Sequence, residues 1–493
     1  MTNDVQLPEL DSVGLLRYGW RQLTSMRTAL ILLMLLGIAA IPGSLVPQRT
    51  QNPMAVSAAF KGSPELSQWM DRLSLFDVYG SPWFSAIYIL LFISLIGCVL
   101  PRTFEHFHAA RALPPATPKN LNRMEFYSSW PATGNELEAA RKWFKTNRFR
   151  ILEKDGSISA EKGFLRETGN LFFHLALILI LLGISLSSLF GMRGDAILNV
   201  GERFVNTPTS YDSLAYGKLF KDGKLESFIL NIDNFDAKYN IVTNAPEDYT
   251  LSISLRRGNL ENIEKHLIKV NSPLAIGNTK IYLQANGYSP VVTVRDSKGN
   301  VAMQGPIPFL SQDGNLRSIG AIKVPDADPQ VGFVGSFVPT YARSNGNGAI
   351  SVFPQALDPR LLLAAWSGDL GLDSGTPQSV YRIDTSSMSQ LGLKSLKPGE
   401  VFIYPGGSIT FEGYVQWVNL QIVNDPGKNF ALLGAIVAIL GLLASLFTRR
   451  RRIWIRVGDV VEVAGLAKNA APGLEQELKV FIEAVKSEAK GEK

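Results

Sequence analysis

His174 is the residue whose type and position point most directly to chemistry. It lies in the apolar run LFFHLALILILLGISL, about five residues past Gly169, which corresponds to ~7.5 Å along a helix. An ionisable side chain within such a run is costly and therefore indicates a function. An imidazole there can ligate a metal or haem iron, or it can only hydrogen-bond a neighbouring helix, and both interpretations stay open. The same helical face carries Asn170, Leu177, Leu181, Ser185 and Ser188.

The other three histidines do not form a conventional metal site. His106 and His108 are two residues apart, so on a helix their side chains diverge by about 200°, and only an extended backbone would let them chelate one metal. We expect a solvated pair beside a membrane segment. His266 lies among lysines in EKHLIKV and is expected to be an exposed strand residue.

The cysteine count and the lack of catalytic motifs narrow the function further. Cys98 is the only cysteine, which excludes an intramolecular disulfide, a CxxC redox pair and a cysteine-ligated zinc or iron–sulfur site. Any thiol chemistry must therefore belong to a partner, and Cys98 itself is expected to pack between helices. The sequence contains no nucleophile elbow, P-loop or dinucleotide-binding turn. We do not expect the chain to be an enzyme on its own.

The composition places part of the chain in lipid. Of 493 residues, 46% are hydrophobic and only 19% are charged, whereas soluble domains have about 25% charged residues. The predicted fold class is a multi-pass α-helical membrane protein with four transmembrane helices, because four windows reach the ~20 apolar residues that span a bilayer. The windows are 28–46, 82–100, 169–192 and 429–448.

Small residues form a stripe along the last of these windows. Its members are Gly434, Ala438, Gly441 and Ser445. Small side chains let two membrane helices approach closely. The stripe therefore predicts a packing face, either within this chain or with a partner.

The distribution of lysine and arginine predicts the orientation. Segment 101–168 holds twelve of them, and the last window runs directly into four arginines, whereas segment 47–81 holds only three. We therefore expect segments 1–27, 101–168 and 449–493 to be cytoplasmic, and segments 47–81 and 193–428 to be extracytoplasmic. Segment 193–428 has 21 Lys and Arg against 22 Asp and Glu. The net charge of +6 thus lies in the cytoplasmic parts and requires no nucleic-acid partner.

The two soluble regions differ in their predicted structure. Segment 193–428 alternates apolar and polar residues between frequent glycines and prolines, which predicts a large β-rich domain, either an antiparallel sandwich or an open barrel. The strand signals are clearest at 249–255, 291–294 and 408–418. A small cytoplasmic α+β region is predicted from a strand, a helix and a hairpin at 126–130, 135–146 and 149–160. One strand at 453–463 and a helix at 474–489 are expected to pack with it.

Five longer stretches match patterns of a known family. They are GWRQLTSMRTAL leading into the first window, PGSLVPQ from Pro42, GNLFFHLALILILLG around His174, VNSPLAIGNTKIYLQANGY from Val270 and LQIVNDPGKNFALLG from Leu420. The last two are the most specific, because they are unusual polar strings at a fixed distance from a window. Together they resemble the ResB family, also called CcsB, of system II cytochrome c biogenesis. The resemblance covers nearly the whole chain.

This resemblance implies a function in haem delivery. In that family the protein pairs with a CcsA (ResC) partner, and the complex moves haem across the membrane and attaches it to CxxCH motifs of apocytochrome c. This chain lacks the partner's tryptophan-rich loop, so it resembles the unfused subunit of a cytochrome c synthase complex, either non-catalytic or haem-binding. The family's intramembrane histidine corresponds to His174, which is then a candidate axial ligand of a transiently held haem. The partner is expected to supply the second ligand.

The resemblance also implies further partners and a location. A thiol reductase must supply the reduced cysteines of the apocytochrome, and the protein is expected in the plasma membrane of a bacterium or in a thylakoid membrane. The extracytoplasmic domain is expected to recognise protein and not to ligate haem. An alternative of a different class is a membrane-anchored scaffold or binding protein with a β-rich external domain and no haem role.

Overall fold

Two compact units make up the chain. The computed structural model describes residues 11–49, 51, 53–221, 223, 225–258, 262–344, 348–372, 379–467 and 473–491. One unit comprises residues 1–185 with 427–493, and the other comprises residues 186–426. The predicted terminal segments 1–27 and 449–493 lie partly outside the described residues, because the description begins at residue 11 and leaves out residues 468–472, 492 and 493.

Four of the helices in the described residues are long and apolar enough to cross a membrane. The helices are α1 Ser12–Leu23, α2 Met26–Leu45, α3 Pro53–Gly62, α4 Pro64–Arg72, α5 Pro82–Arg111, α6 Glu136–Thr146, α7 Leu165–Phe190, α8 Lys428–Phe447 and α9 Leu474–Ala489. The membrane-length helices are α2, α5, α7 and α8. This confirms the four predicted membrane helices.

Helix α5 is longer than the window that predicted it. The window ended at Leu100, where charged residues begin, but the helix continues to Arg111. Helix formation does not require apolar residues, and Glu105, Ala109 and Ala110 in the extension are good or acceptable helix formers. The extension carries His106, so this histidine belongs to a continuous helix.

Helices α7 and α8 pack through small residues on both sides. On α8 the buried residues are Gly434, Ala438 and Gly441, and on α7 they are Gly169, Ala176 and Gly183. A Cβ added to Gly441 would lie 2.7 Å from the carbonyl oxygen of Gly169. The predicted stripe on the last membrane helix is therefore a packing face within this chain.

The strands of the described residues are numbered β1 to β23. Their bounds are Phe126–Pro131, Arg150–Lys154, Ser157–Lys162, Met192–Asn199, Arg203–Val205, Ser213–Tyr216, Phe228–Tyr239, Pro246–Arg257, Ile263–Lys269, Leu274–Ile276, Thr279–Asp296, Val301–Pro306, Leu310–Ser311, Ser318–Val324, Val331–Val338, Tyr341–Ser344, Gly348–Ser351, Arg360–Ser367, Ser389–Leu396, Val401–Tyr404, Gly407–Asn424, Arg451–Val457 and Val460–Ala467. All pairings between these strands are antiparallel.

The segments before α7 and after α8 form one α+β region, as predicted. Its sheet has the order β1-β23-β22-β3-β2, and helices α6 and α9 pack on it through Phe144 and Phe481, whose rings stack at 4.7 Å. The prediction of one strand at 453–463 was wrong, because β22 and β23 form a hairpin there. The turn falls at Gly458 and Asp459, residue types that favour turns.

Residues 186–426 fold into several antiparallel sheets around a shared hydrophobic core. The sheet orders are β10-β11-β21-β4-β6 with β12 and β20 attached, β13-β14-β15-β18-β19, β5-β7-β8-β9 and β16-β17. The predicted strand signals lie inside β8, β11 and β21. Strands β11 and β21 have 18 residues each and pair from Thr279↔Asn424 to Asp296↔Gly407. The β-rich prediction is confirmed, although the described part contains four sheets and not the two of a sandwich.

Candidate functional site

The imidazole of His174 is held by its own helix. Its Nδ1 lies 2.7 Å from the carbonyl oxygen of Asn170, one turn earlier in α7. A carbonyl oxygen only accepts hydrogen bonds, so Nδ1 donates its N–H, and in the neutral imidazole the lone pair then lies on Nε2. Within the described residues, Nε2 has no hydrogen-bond partner, and the side chain is half-buried. This is the tautomer that can ligate a metal through Nε2.

His174 lies on a different face of α7 from the small residues that pack on α8. It shares its face with Leu181 and Ser185, which follow about two and three turns later. The hydroxyl of Tyr88 on α5 donates to the carbonyl oxygen of Leu181 and accepts from Ser185 Oγ at 3.2 Å. Phe173 contacts the imidazole edge-on, with the ring centroids 5.3 Å apart. Helix α5 thus borders the face of α7 that carries the histidine.

A hydrogen bond from His174 to another helix does not occur in the described residues. Its one hydrogen bond there is to the backbone of α7. The packing interpretation of this residue required such a bond to a neighbouring helix. The haem-ligand interpretation requires instead an accessible Nε2, and the bond of Nδ1 to the helix backbone leaves Nε2 without a hydrogen-bond partner in the described residues.

The two histidines of α5, His106 and His108, have different surroundings. His106 Nε2 lies 2.9 Å from Thr168 Oγ1, and its ring stacks on Phe164 at 4.8 Å with an interplanar angle of 19°. His108 is exposed, and its Nδ1 bonds the carbonyl oxygen of Phe104 in the same helix. The prediction of a solvated pair is right for His108 and wrong for His106. His106 was mispredicted because its partners come from a segment about sixty residues later in the chain.

His266 and Cys98 have unremarkable surroundings. His266 lies on β9, as expected, with its Nε2 3.0 Å from Glu264 Oε2. Hydrogen bonds from Arg257 and from His266 hold the pKa of Glu264 below its usual value. Cys98 is half-buried in α5 and bonds the carbonyl oxygen of Leu95 at 3.3 Å. In the described part of the chain, no group of three or more His, Cys, Asp or Glu residues could hold a metal ion.

A cationic and aromatic group lies at the start of α7, and we call it the Phe164 cluster. Its members are Phe164, His106, Thr168, Arg150 and Arg450. The guanidinium carbon of Arg150 lies 5.4 Å from the centroid of the Phe164 ring, and that of Arg450 lies 5.0 Å from it. Guanidinium groups at this range of an aromatic face are attracted by its quadrupole.

Two carboxylates neutralise the positive charge of Arg450 in the Phe164 cluster. Arg450 bonds the carboxylates of Glu161 and Glu167, the latter at 2.6 Å. Burial alone would lower its pKa, but the two carboxylates outweigh that effect and raise it. Sequence reasoning missed the cluster because its members come from four separate segments. The signal that could have found it is the run of four arginines from Arg449, which requires carboxylate partners from elsewhere in the chain.

Comparison with known proteins identifies the family. The model of the ResB-like family matches residues 26–479. The chain belongs to the ResB-like family. It is similar to the cytochrome c biogenesis protein CcsB of Microcystis aeruginosa, with 23% identity over 94% of each chain. It is also similar to CcsB of Thermosynechococcus vestitus, with 22% identity over 92% of this chain and 93% of the relative. The cytochrome c biogenesis protein Ccs1 of Rhodomonas salina is 21% identical over 92% of this chain and 94% of its own.

The family match agrees with the resemblance drawn from the sequence motifs. This ResB-like protein has four membrane-length helices and a large β-rich unit between the third and the fourth. It is a membrane protein of a cytochrome c biogenesis family. The finer questions are what it binds and through which residues.

Proposed function

We propose that this ResB-like protein holds haem within the membrane and supports its covalent attachment to apocytochrome c, together with a CcsA (ResC) partner. His174 provides one axial ligand to the haem iron through Nε2. The observation that carries the proposal is the bond from His174 Nδ1 to the carbonyl oxygen of Asn170, at 2.7 Å. It orients the ring and places the N–H of the neutral imidazole on Nδ1, which leaves Nε2 as the ligating atom, as is usual for metal-ligating histidines.

The number of axial haem ligands in this chain indicates that a partner protein supplies one. Haem iron takes two axial ligands in low-spin sites, and the described residues provide one intramembrane histidine. His106 is engaged with Thr168 and Phe164, so it is not placed to complete the pair. The second ligand therefore comes from the CcsA-type partner, and haem is shared between the two proteins and held only transiently.

The other partners follow from what the chain itself cannot do. Thioether formation needs reduced CxxCH cysteines, and a chain with the single Cys98 in a membrane helix cannot reduce a disulfide by dithiol exchange. A separate thiol reductase supplies that reduction. The protein acts in this account as a haem-binding subunit of a synthase complex, and the covalent step is completed outside it.

The β-rich unit recognises protein in this account. It contains one histidine, His266, which is paired with Glu264. Its partners are the apocytochrome or loops of the CcsA-type protein. With both termini cytoplasmic, this unit faces the outside of a bacterial plasma membrane, or the lumen in a thylakoid membrane.

A scaffold without a haem role is the competing function. The two functions differ in the colour of the purified protein. We expect that the full chain, co-purified with a CcsA-type partner, shows a Soret absorption band and a pyridine haemochrome signal. A stable complex that has no Soret band, and that binds no haem when haem is added, supports the scaffold instead.

A further inference from the structure

Arg150 differs from the other cation of the Phe164 cluster in its electrostatic partners. Arg450 bonds two carboxylates, whereas Arg150 meets none within the described residues. Its Nη2 donates to the carbonyl oxygen of Ala112. A guanidinium has five N–H donors in a planar fork. Arg150 therefore retains donors, and an uncompensated charge, for an anion.

The ring of Phe164 orients this charge. The guanidinium carbon of Arg150 lies 5.4 Å from the ring centroid, and the ring of His106 stacks on Phe164 at 4.8 Å. His106 in turn bonds Thr168, so helix α5 and the start of α7 hold the aromatic pair together. A charged group supported in this way loses little side-chain entropy when it binds a ligand.

Arg150 lies at the end of α7 towards which the His174 imidazole points. Thr168 precedes His174 by six residues, or ~9 Å along the helix axis, and Leu165, which follows the Phe164 that Arg150 contacts, precedes it by nine, or ~13.5 Å. The bond to the Asn170 carbonyl shows that the imidazole folds back by one turn in the direction of Thr168. The Phe164 cluster, and not the apolar outer half of α7, is therefore the polar group at the end of the helix towards which the imidazole folds.

We propose that Arg150 binds the propionate carboxylates of haem while His174 ligates the iron. This inference rests on the proposed function. The macrocycle is flat and mostly apolar and suits the membrane interior, whereas its two propionates carry its negative charge. Guanidinium and carboxylate form paired, charge-assisted hydrogen bonds. Arg150 then determines which edge of the haem faces the cytoplasmic end of α7.

The test compares haem with haem dimethyl ester, which has the same ring and iron but no carboxylates. Each is titrated into the full chain in nanodiscs with its CcsA-type partner, and binding is followed by the Soret band. Loss of a charge-assisted pair should weaken binding roughly ten- to a hundredfold. We expect the wild type to prefer haem over the ester by that factor, and Arg150→Gln to lose the preference while its affinity for the ester stays unchanged.

Two further variants control this comparison. Arg148→Gln removes the same charge from an exposed side chain that makes no ion pair in the described residues, and it should keep the preference for haem. Arg150→Lys retains the charge without the planar fork and should keep part of it. The unchanged affinity for the ester shows that each variant is folded.

Three outcomes would overturn the inference. They are no preference for haem in the wild type, an unaltered preference in Arg150→Gln, and an equal loss in Arg148→Gln. Equal binding of haem and ester by every variant would mean that the Phe164 cluster serves another anion, such as a lipid phosphate. If neither haem nor ester binds any variant, the proposed function itself fails, which is a distinct result.

Discussion

The Nδ1 atom of His174 lies 2.7 Å from the carbonyl oxygen of Asn170 in the same helix. The acceptor is a backbone atom, so the N–H of Nδ1 is oriented by the helix and not by a neighbouring side chain. Nε2 remains available on a face of α7 that small-residue packing against α8 does not use. One membrane helix thus separates its packing face from the face that carries His174.

The orientation of the chain in the membrane is the first prediction. In a Cys98→Ser background, Ser297→Cys in an exposed turn and Ser129→Cys on an exposed strand position provide one label site in each unit. We expect an impermeant thiol reagent to label Ser297→Cys in intact cells and Ser129→Cys only after lysis, because the arginine and lysine excess predicts that the segment of Ser129 is cytoplasmic. The reverse pattern would overturn the proposed location of the β-rich unit.

Packing of α7 on α8 should not tolerate a methyl group. In Gly441→Ala, the new Cβ would meet the carbonyl oxygen of Gly169 at 2.7 Å and the amide of Phe173 at 2.8 Å. Overpacking of this kind costs about 1–3 kcal/mol. Gly37→Ala on α2 is the control, because its added Cβ has no heavy atom within 4 Å apart from the nearby backbone of its own helix and its chain neighbours. Thermal unfolding in detergent should show a lower midpoint for Gly441→Ala alone, and equal midpoints would contradict this packing.

Glu136 should stabilise the α+β region in a pH-dependent way. Burial alone would raise its pKa, but hydrogen bonds from Thr133 and the Gly134 amide outweigh that effect and lower it. A lowered pKa means that the stabilisation is present above the usual value near 4.3 and is lost as the pH falls through the folded-state value. Glu136→Gln should cost about 1–3 kcal/mol at neutral pH.

Unfolding midpoints at about pH 7 and about pH 3 test this prediction. The difference between wild type and Glu136→Gln should shrink at the lower pH. Glu138→Gln on the exposed side of α6 should have little effect at either pH. A destabilisation by Glu136→Gln that is equally large at both values would show that the carboxylate charge is not involved.

His266 should not contribute to haem binding. Its Nε2 is engaged with Glu264 at 3.0 Å on a half-exposed strand of the β-rich unit. We expect His266→Ala to retain the haem content of the wild-type complex, as measured by the pyridine haemochrome assay. A loss of haem without loss of protein would place a ligand in the β-rich unit.

The sequence predicted those features that depend on neighbouring residues. Four apolar windows identify the membrane helices, and the spacing of Gly434, Ala438 and Gly441 identifies one helix face, because each is a local periodicity. The turn missed at Gly458 was also a local feature. It was missed because the apolar residues on both sides of the turn run together.

Features that depend on contacts between distant segments could not be predicted. The stacking of His106 on Phe164, and the contacts of Arg150 and Arg450 with the same ring, join four separate segments. The tautomer of His174 is also invisible in the sequence, since it depends on where the imidazole points along the helix. These are the observations on which the haem proposals rest.

The most direct test of the central claim is the haem content of His174 variants, purified with a CcsA-type partner. His174→Ala, His174→Asn and His174→Gln should all lose haem and c-type cytochrome yield together, because none supplies an imidazole nitrogen to iron. Protein level should persist, since the apolar helix remains. Asn170→Ala keeps the backbone carbonyl and should retain haem, and added imidazole should partly restore His174→Ala. Wild-type haem content and cytochrome yield in His174→Asn and His174→Gln would contradict the account, because a polar side chain that only hydrogen-bonds would then suffice.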